Sequence, residues 1–371
     1  MAPHDSAPSP ASDPALFAVL MAGGSGTRFW PASRRARPKQ YLAIGSEEPL
    51  LRQTFARLEG LVPAERVLVV SAAGQEEAVR NCLPELPEEN LLFEPSARNT
   101  AACVALSALE TKRRDPNAVQ VVMPADHVID PPEKLRATLR AGAEEARASG
   151  SLVTFGIRPN HPATGFGYIE LGDSSGERGG HTVHRVSRFV EKPSRERAEE
   201  FLTTGKFLWN AGIFAWTSDA ILEAFKRFEP EISGPLEPAV GNAAQLESVY
   251  PQLPAKPVDV AILERAENVL TLPIDYSWND VGSWSALAEL DAPDESGNWT
   301  ALTGGAELIA EDAEGCITWA EGDEVIALVG VKDLIVVRSG DATLVCPRDR
   351  AQDVKKIVER LDRERRGQRR L

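Results

Sequence analysis

Apolar residues in this chain fall into two rhythms. Residues 16–22 (LFAVLMA) form an unbroken apolar run that stops at Gly23, and residues 119–123 (VQVVM) form another that ends at Pro124. Residues 66–71 (RVLVVS), 91–93 and 152–157 are similar short runs. Such runs, lacking polar alternation, predict strands buried on both faces, as in a parallel sheet. Between them the spacing changes. Leu51, Phe55 and Leu58 recur at helical intervals, and residues 74–82, 99–113 and 131–149 read as helices, the last with Pro and Glu at its start. Strands alternating with helices predict an α/β, doubly wound sheet. Ligands in such sheets sit beyond the carboxyl ends of the strands, which is where the loop after Ala22 and the turn after Met123 lie.

From Gly165 the pattern shifts to strands with short connections, at residues 167–171, 183–190 and 211–216. These predict an inserted, partly antiparallel lobe over the sheet. A further strand, 269–273, leads to Trp278 and Trp284. Beyond Leu290 the chain is rich in Gly, Asp and β-branched residues. Short strands at 307–309, 316–319, 325–331, 334–337 and 343–346 predict a small all-β C-terminal domain, either a solenoid turn or a sandwich. An amphipathic helix, 352–361, closes it. The expected organisation is a disordered Ala/Ser/Pro tail (1–15), a large domain (16–290) and a β-rich domain ending in a helix (291–371).

Composition narrows the function. With 371 residues, 43% hydrophobic and 26% charged, the chain is globular. Its net charge of −14 disfavours non-specific contact with nucleic acid or an acidic membrane. An anionic ligand would therefore need a local cluster of donors. The 4 cysteines form no CxxC pair, which leaves no zinc or redox motif and suits free thiols in a reducing compartment. No apolar run approaches the ~20 residues of a membrane span, and the N-terminus lacks a signal-peptide pattern. The expectation is a soluble, cytoplasmic protein.

The donor cluster is found in AGGSGTRFWPASRRARPKQ, residues 22–40. Its glycines let backbone N–H groups approach a phosphate. Five basic residues and no acid follow between Arg28 and Lys39 (Arg28, Arg34, Arg35, Arg37, Lys39). The segment is neither a Walker A loop, having no Gly-Lys-Ser/Thr, nor a dinucleotide fingerprint, because Phe29 takes the last glycine position. A solvated basic turn is the bland alternative, and the full run of Gly, Arg, Pro and Lys argues against it. Asp126, just past a strand in PADH, can hold Mg²⁺ with a second carboxylate, for which Asp280 in WNDVGSW is the candidate; a lone strand-end Asp is as often a turn or cap. Glu191 and Lys192 in FVEKP, Asn210 in WNAGIF and Gly167 in TGFGYIE carry groups suited to sugar hydroxyls and a sugar phosphate. Taken singly, Glu191 and Lys192 are more often a surface charge pair, and the neighbouring Trp209 and Phe214 core packing.

Together AGGSGTRFWPASRRARPKQ, EPSARNTAA, MPADHVI, TGFGYIE, FVEKP, WNAGIF and WNDVGSW, in this order, resemble the nucleotide-sugar pyrophosphorylases, in particular those that use GTP and mannose-1-phosphate. The later run DLIVVRSGDATLVCPRDRAQDVKKIV resembles their tail. The resemblance implies a mixed sheet of the nucleotide-diphospho-sugar transferase type and transfer of GMP to a hexose-1-phosphate with Mg²⁺ as cofactor. It implies catalytic roles for Arg28, Lys39, Asp126 and Asp280, the two aspartates holding the metal. Ala22, Gly23, Gly24, Ser25, Gly26, Thr27, Arg28, Asn99, Thr100 and Asp126 would meet the nucleotide, with the guanine near 94–100. Gly167, Glu191, Lys192, Asn210 and Asp259 would meet the sugar phosphate. The segment VDVAILE, 258–264, departs from the family's commoner Tyr and Met, but Asp259 keeps its carboxylate. Another nucleotide or hexose, or a silent regulatory subunit, are the alternatives; the silent subunit would have lost Arg28, Lys39 or an aspartate. A homodimer is the default assembly. The basic end, 363–370, reads as a solvated tail rather than a nucleic-acid contact.

Overall fold

The computed structural model describes residues 15–24 and 26–364. The expected tail, Ser25 and most of the basic end lie outside the described residues. Ala15, assigned to the tail, is instead buried, and its N–H donates to Asp115 Oδ2 at 2.8 Å.

The chain begins β1 (Leu16–Met21), α1 (Leu50–Ala56), β2 (Val67–Ala72), α2 (Glu76–Cys82), β3 (Leu91–Glu94), α3 (Asn99–Arg114), β4 (Val119–Pro124) and β5 (Val128–Asp130). It continues α4 (Pro132–Ser149), β6 (Leu152–Ile157), β7 (Gly167–Arg178), β8 (His181–Glu191), α5 (Arg195–Thr204) and β9 (Phe207–Thr217). Helices α6 (Ser218–Phe228), α7 (Pro230–Leu236) and α8 (Ala243–Val249) precede β10 (Val269–Ile274) and β11 (Ser277–Asn279). Among the described residues, nine strands make one mixed sheet in the order β3-β2-β1-β4-β9-β6-β10-β8-β7.

The unbroken apolar runs are explained by the two cores they serve. Phe17, Val19, Leu68, Val70 and Val122 face α3, α6 and α7, where Leu106, Phe225 and Ile232 complete one cluster. Ala18, Leu20, Val67, Val69, Val121 and Met123 point the other way, against Leu51 of α1, Val79 of α2 and Leu135 and Leu139 of α4. Each fully buried Leu, Val or Phe contributes about 1.5–3 kcal/mol, so the sheet is a firm platform for the loops at its carboxyl edge.

The expected separate lobe is not what forms. β9 runs antiparallel between β4 and β6, in the middle of the sheet, and β7 and β8 extend its edge. The reason lies in β9 itself: Ile213 and Ala215 serve one core while Phe214 and Trp216 serve the other. A strand apolar on both faces must be central.

The C-terminal part is a solenoid, which decides between the two β architectures. Strands β12 (Trp299–Thr303), β14 (Ile317–Glu321) and β16 (Leu334–Ser339) stack in parallel, as do β13 (Glu307–Glu311) and β15 (Val325–Val329). Trp299 pairs with Ile317 and Ile317 with Ile335, a step of 18 residues each time. Gly304, Gly322 and Gly340 recur at the same step, all with positive φ (71°, 114° and 54°), the first two at corners of the coils and Gly340 in the turn between Ser339 and Ala342. A Cβ on Gly304 would lie 3.0 Å from the Gly322 nitrogen of the next coil. β17 (Ala342–Pro347) pairs antiparallel with β16, and α9 (Val354–Arg363) ends the described chain. A third core joins solenoid and sheet domain: Trp299, Ile317, Trp319, Ile335 and Val354 share it with Phe29, Trp30, Leu42 and Trp284. The glycine- and arginine-rich loop after β1 is thus built on the solenoid.

Candidate active site

The loop after β1 leaves the sheet at Ala22. The Ala22 N–H donates to Val70 O at 2.8 Å, and its carbonyl accepts from Gln40 Nε2 at 2.6 Å and Ser71 Oγ at 3.3 Å. Its backbone is therefore committed to holding the loop's root. Gly23 and Gly24 lie beyond it; a side chain at Gly24 would meet nothing within 4 Å, whereas one at Gly23 would come within 3.2 Å of Glu94 Oε2. Gly26 has φ +54°, and a Cβ there would lie 2.6 Å from Lys39 Cβ and 2.7 Å from Ser33 Oγ. Only glycine lets this turn close on the segment that carries Lys39. A short 3-10 turn, Thr27–Phe29, then presents Arg28, whose Nη1 donates to Gly282 O at 3.2 Å.

Of the five basic residues in this loop, three face away from the cleft. Arg34 pairs with Asp341 at 2.9 Å and donates to Ser339 O at 3.0 Å; Arg35 pairs with Asp362 at 2.7 Å; Arg37 pairs with Glu321 at 2.9 Å. These acids belong to the solenoid and α9, so the expected cationic loop is mostly a clamp between domains. Arg28 and Lys39 are what it offers the cleft. The sequence could not separate the two uses because the partners lie far downstream, the nearest of them 284 residues away.

Lys39 is 5% exposed, beneath the Phe29 ring at 5.6 Å, and its Nζ donates to Asp126 Oδ2 at 2.9 Å and to the Asp280 carbonyl at 2.6 Å. β11 pairs antiparallel with β5, Asn279 opposite Val128, and this two-stranded ribbon draws the Asp280 and Asp126 turns together. Asn279 Oδ1 accepts from Val281 N at 2.7 Å, and Val281 takes the left-handed region at φ 46°, which turns the chain sharply after Asp280. The Asp280 carboxylate folds over Gly282, where a Cβ would sit 2.9 Å from Oδ2. Burial pushes the Asp126 carboxyl upward, but Lys39 and His127 more than offset this and hold it below the usual value. Burial lowers the His127 imidazole, with Asp126 opposing, so His127 is neutral at pH 7; Trp278 Nε1 donates to its Nδ1 at 3.2 Å. Gly26, Thr27, Arg28, Lys39, Asp126, His127, Asp280 and Gly282 line one recess of 340 Å³, together with Lys355 of α9.

Next to it a cleft of 560 Å³ is lined by Arg28, Asp280, Phe166, Lys192, Trp209 and Trp278. Lys192, at φ 47°, ion-pairs with Glu191, whose Oε2 lies 2.7 Å from where a Gly167 Cβ would be. The Gly167–Glu191 pair is fixed by the β7–β8 register. Asn210 Nδ2 donates to Asp259 Oδ1 at 2.8 Å, while Asn210 Oδ1 accepts from Thr154 at 2.9 Å. Burial, and then Glu191, push the Asp259 carboxyl up to about 7. Glu191, Lys192, Asn210 and Asp259 thus form a second polar group, with Gly167 against Glu191.

Asn99 starts α3 at φ 62°, and its Oδ1 accepts from Thr100 N at 2.8 Å. The Thr100 hydroxyl accepts from Val258 N at 2.8 Å, so it ties α3 to the segment that carries Asp259. The resemblance put the guanine near 94–100 without singling out a residue; Glu94 is the acid there, at the carboxyl end of β3. It is 7% exposed, accepts a hydrogen bond from the Tyr250 hydroxyl, and is pushed by burial up to about 7. The strand-end logic that selected Asp126 would have selected it too. Ser96 Oγ, two residues on, is buried without a hydrogen-bond partner among the described residues.

Residues 17–297 match the family described as Nucleotidyl transferase, and residues 306–361 match that described as MannoseP isomerase/GMP-like beta-helix domain. The chain is 38% identical to a Mannose-1-phosphate guanylyltransferase of Klebsiella pneumoniae, over 95% of this chain and 75% of the relative. It is 37% identical to one of Escherichia coli K12, over 96% and 75%. A crystal structure from Thermus thermophilus, of a protein called mannose-1-phosphate geranyltransferase, superposes with a TM-score of 0.85 at 36% identity, covering 94% of this chain and 99% of that one.

Proposed function

The chain belongs to the nucleotidyl transferase family, and from that premise we propose that it transfers GMP from GTP to mannose-1-phosphate, giving GDP-mannose and pyrophosphate. The weight rests on one observation: Lys39 Nζ joins Asp126 and the Asp280 turn at 2.9 and 2.6 Å beside the Gly26–Arg28 turn. That arrangement puts two cations and two carboxylates around the 340 Å³ recess. A phosphate oxygen of mannose-1-phosphate attacks the α-phosphorus in line; the bond from that phosphorus to the bridging oxygen breaks, and pyrophosphate leaves with the electron pair. The attacking group is already anionic at neutral pH, so the protein supplies position and charge rather than a base. Arg28 and Lys39 draw negative charge off the leaving phosphates.

The donor set fits Mg²⁺, an ion held by one or two carboxylates with phosphates and water completing its shell. Asp126 and Asp280 would hold it, and when bound it neutralises phosphate charge. Among the described residues no group of three or more His, Cys, Asp or Glu side chains is gathered into a protein-only cage.

Glu94 supports the choice of base. Its Oε2 points at Gly23, and Tyr250 occupies Oε1. A carboxylate accepts from N1–H and the 2-amino group of guanine; adenine and cytosine place an acceptor at the corresponding ring nitrogen. Glu191, Asn210 and Asp259 supply acceptors and donors for mannose hydroxyls, and Lys192 a charge for its phosphate. We place the reaction in the cytoplasm, which the free thiols of Cys82, Cys103, Cys316 and Cys346 suit; among the described residues no helix is long and apolar enough to cross a membrane.

The test is pyrophosphate release with Mg²⁺ and mannose-1-phosphate across GTP, ITP, ATP, UTP, CTP and dTTP. GTP is expected first, with ITP, which lacks the 2-amino group, weaker by about tenfold or more. Equal use of ATP would remove Glu94 from base reading, and preference for another nucleotide or hexose would move the substrate assignment.

A further inference from the structure

We propose that Lys355, contributed by the C-terminal helix α9, is a phosphate-binding residue of the nucleotide site and holds the terminal phosphates that leave as pyrophosphate. The proposal rests on the nucleotidyl-transfer reading given above and adds to it a group from the solenoid domain.

Three observations carry it. Lys355 lines the 340 Å³ recess together with Arg28, Lys39 and Asp280. Its place there is fixed: Val354, 2% exposed, and Ala351, 3% exposed, sit in the same core as Phe29 and Trp30 of the β1 loop, with Val358 and Leu361 packed against that core along the same face of the helix. And its charge is unspent. Cations around it are paired, Lys356 and Arg350 to Asp353 and Arg360 to Glu364, whereas Lys355 makes no hydrogen bond or ion pair with any of the described residues. An exposed lysine with no partner is ordinary on a surface; one held by its helix at the mouth of a phosphate recess is positioned for an anion.

The charge balance of the recess points the same way. Lys39 is committed to Asp126, and Arg34, Arg35 and Arg37 are committed to the solenoid and α9. Of the loop's five cations, Arg28 alone faces the cleft without an ion pair to a carboxylate among the described residues, and a triphosphate with its leaving pyrophosphate carries several negative charges. A lysine ammonium is a point charge with three donors, suited to a mobile terminal phosphate. Lys192 lies in the adjoining cleft with Glu191, on the sugar-phosphate side. Thus the sheet domain brings Arg28 and Lys39 to the phosphates and Lys192 to the sugar side, and α9 adds a further cation at the end that departs.

The test uses the full chain with Lys355→Ala, Lys355→Gln and Lys355→Arg, and Lys356→Ala as the neighbouring charge control. KM is measured for GTP and mannose-1-phosphate in the forward direction and for pyrophosphate and GDP-mannose in reverse, with the melting temperature of each variant. Lys355→Ala and Lys355→Gln are expected to raise KM for GTP and pyrophosphate by about tenfold, the ratio one charge-assisted hydrogen bond supplies. KM for mannose-1-phosphate should stay within about twofold. Lys355→Arg should recover most of the loss, and Lys356→Ala should behave as wild type. Unchanged pyrophosphate and GTP constants in Lys355→Ala overturn the proposal, as does a uniform loss for every substrate with a lowered melting temperature. If the wild-type protein does not use GTP with mannose-1-phosphate, the parent reading fails separately. Calorimetric titration with pyrophosphate then decides: binding weakened about tenfold in Lys355→Ala supports the assignment, and equal binding ends it.

Discussion

Lys39 Nζ donates to Asp126 Oδ2 at 2.9 Å across 87 residues of sequence, and the carbonyl it also reaches belongs to Asp280, 241 residues away. This contact ties the β1 loop to both turns that carry the candidate metal carboxylates. Asp126→Asn should therefore lower kcat by about 10²-fold or more while changing KM for mannose-1-phosphate little, and Asp280→Asn should do the same. Steady-state kinetics at saturating Mg²⁺ check this; an Asp280→Asn enzyme with full Mg²⁺-dependent turnover would remove Asp280 from the site.

Gly26→Ala tests the turn that seats Lys39. The substitution forces a Cβ to within 2.6 Å of Lys39 Cβ at a φ of +54°. The left-handed backbone alone costs about 1–2 kcal/mol, and the collision moves Lys39 off Asp126. The expected outcome is a melting temperature lower by a few degrees with a disproportionate loss of kcat. Thermal unfolding and turnover measured on the same preparation distinguish this from general destabilisation.

Glu94 gives the pH dependence. Its carboxyl, ordinarily near 4.5, is pushed by burial up to about 7 in the folded protein. Folding therefore favours the protonated form. The penalty of a buried charge is absent below 4.5, grows from there to about 7 and is complete above it. Glu94→Gln keeps an oxygen for the Tyr250 hydroxyl and removes the charge, so it should raise the melting temperature at pH 8 and lose that advantage near pH 4.5. The same charge is what guanine needs, so the wild-type KM for GTP should rise as pH falls through 7, and Glu94→Gln should abolish that rise while weakening GTP use. A pH series of both quantities checks the sign.

Arg34 and Arg37 test the clamp. Arg34 is 19% exposed at its side chain and reaches Asp341, Ser339 O and Pro31 O; Arg37 is 47% exposed and reaches Glu321. Exposed pairs are worth about 0–1 kcal/mol, so Arg37→Ala should be close to neutral. Arg34→Ala strands backbone carbonyls at the domain junction and should cost about 1–3 kcal/mol. Denaturant melts of both variants rank the two contacts.

What the chain disclosed in advance, and what it withheld, follows from the range of the interactions involved. The strands of the sheet were legible because burial on both faces leaves unbroken runs such as LFAVLM, and the glycine loop because Gly26 and Lys39 lie close in sequence. β9 was misplaced as part of a lobe, since only its partners β4 and β6 reveal that it is central. The solenoid was legible in principle: Gly304, Gly322 and Gly340 mark its 18-residue step, but the strands between them share little composition. Arg34, Arg35 and Arg37 read as part of one cationic loop, not as a clamp, because their acids come from another domain. Lys355 was invisible for the same reason, its neighbours in the recess lying more than 300 residues earlier at Gly26–Arg28.

The most direct test of the account is to follow the α-phosphate. The purified protein is incubated with Mg²⁺, mannose-1-phosphate and GTP labelled at the α-phosphorus, beside an Asp126→Asn control. The account predicts label in GDP-mannose, with one pyrophosphate released per label transferred, no transfer without mannose-1-phosphate, and little from the variant. Label that stays with GTP, or pyrophosphate released whether or not the sugar phosphate is present, would contradict it.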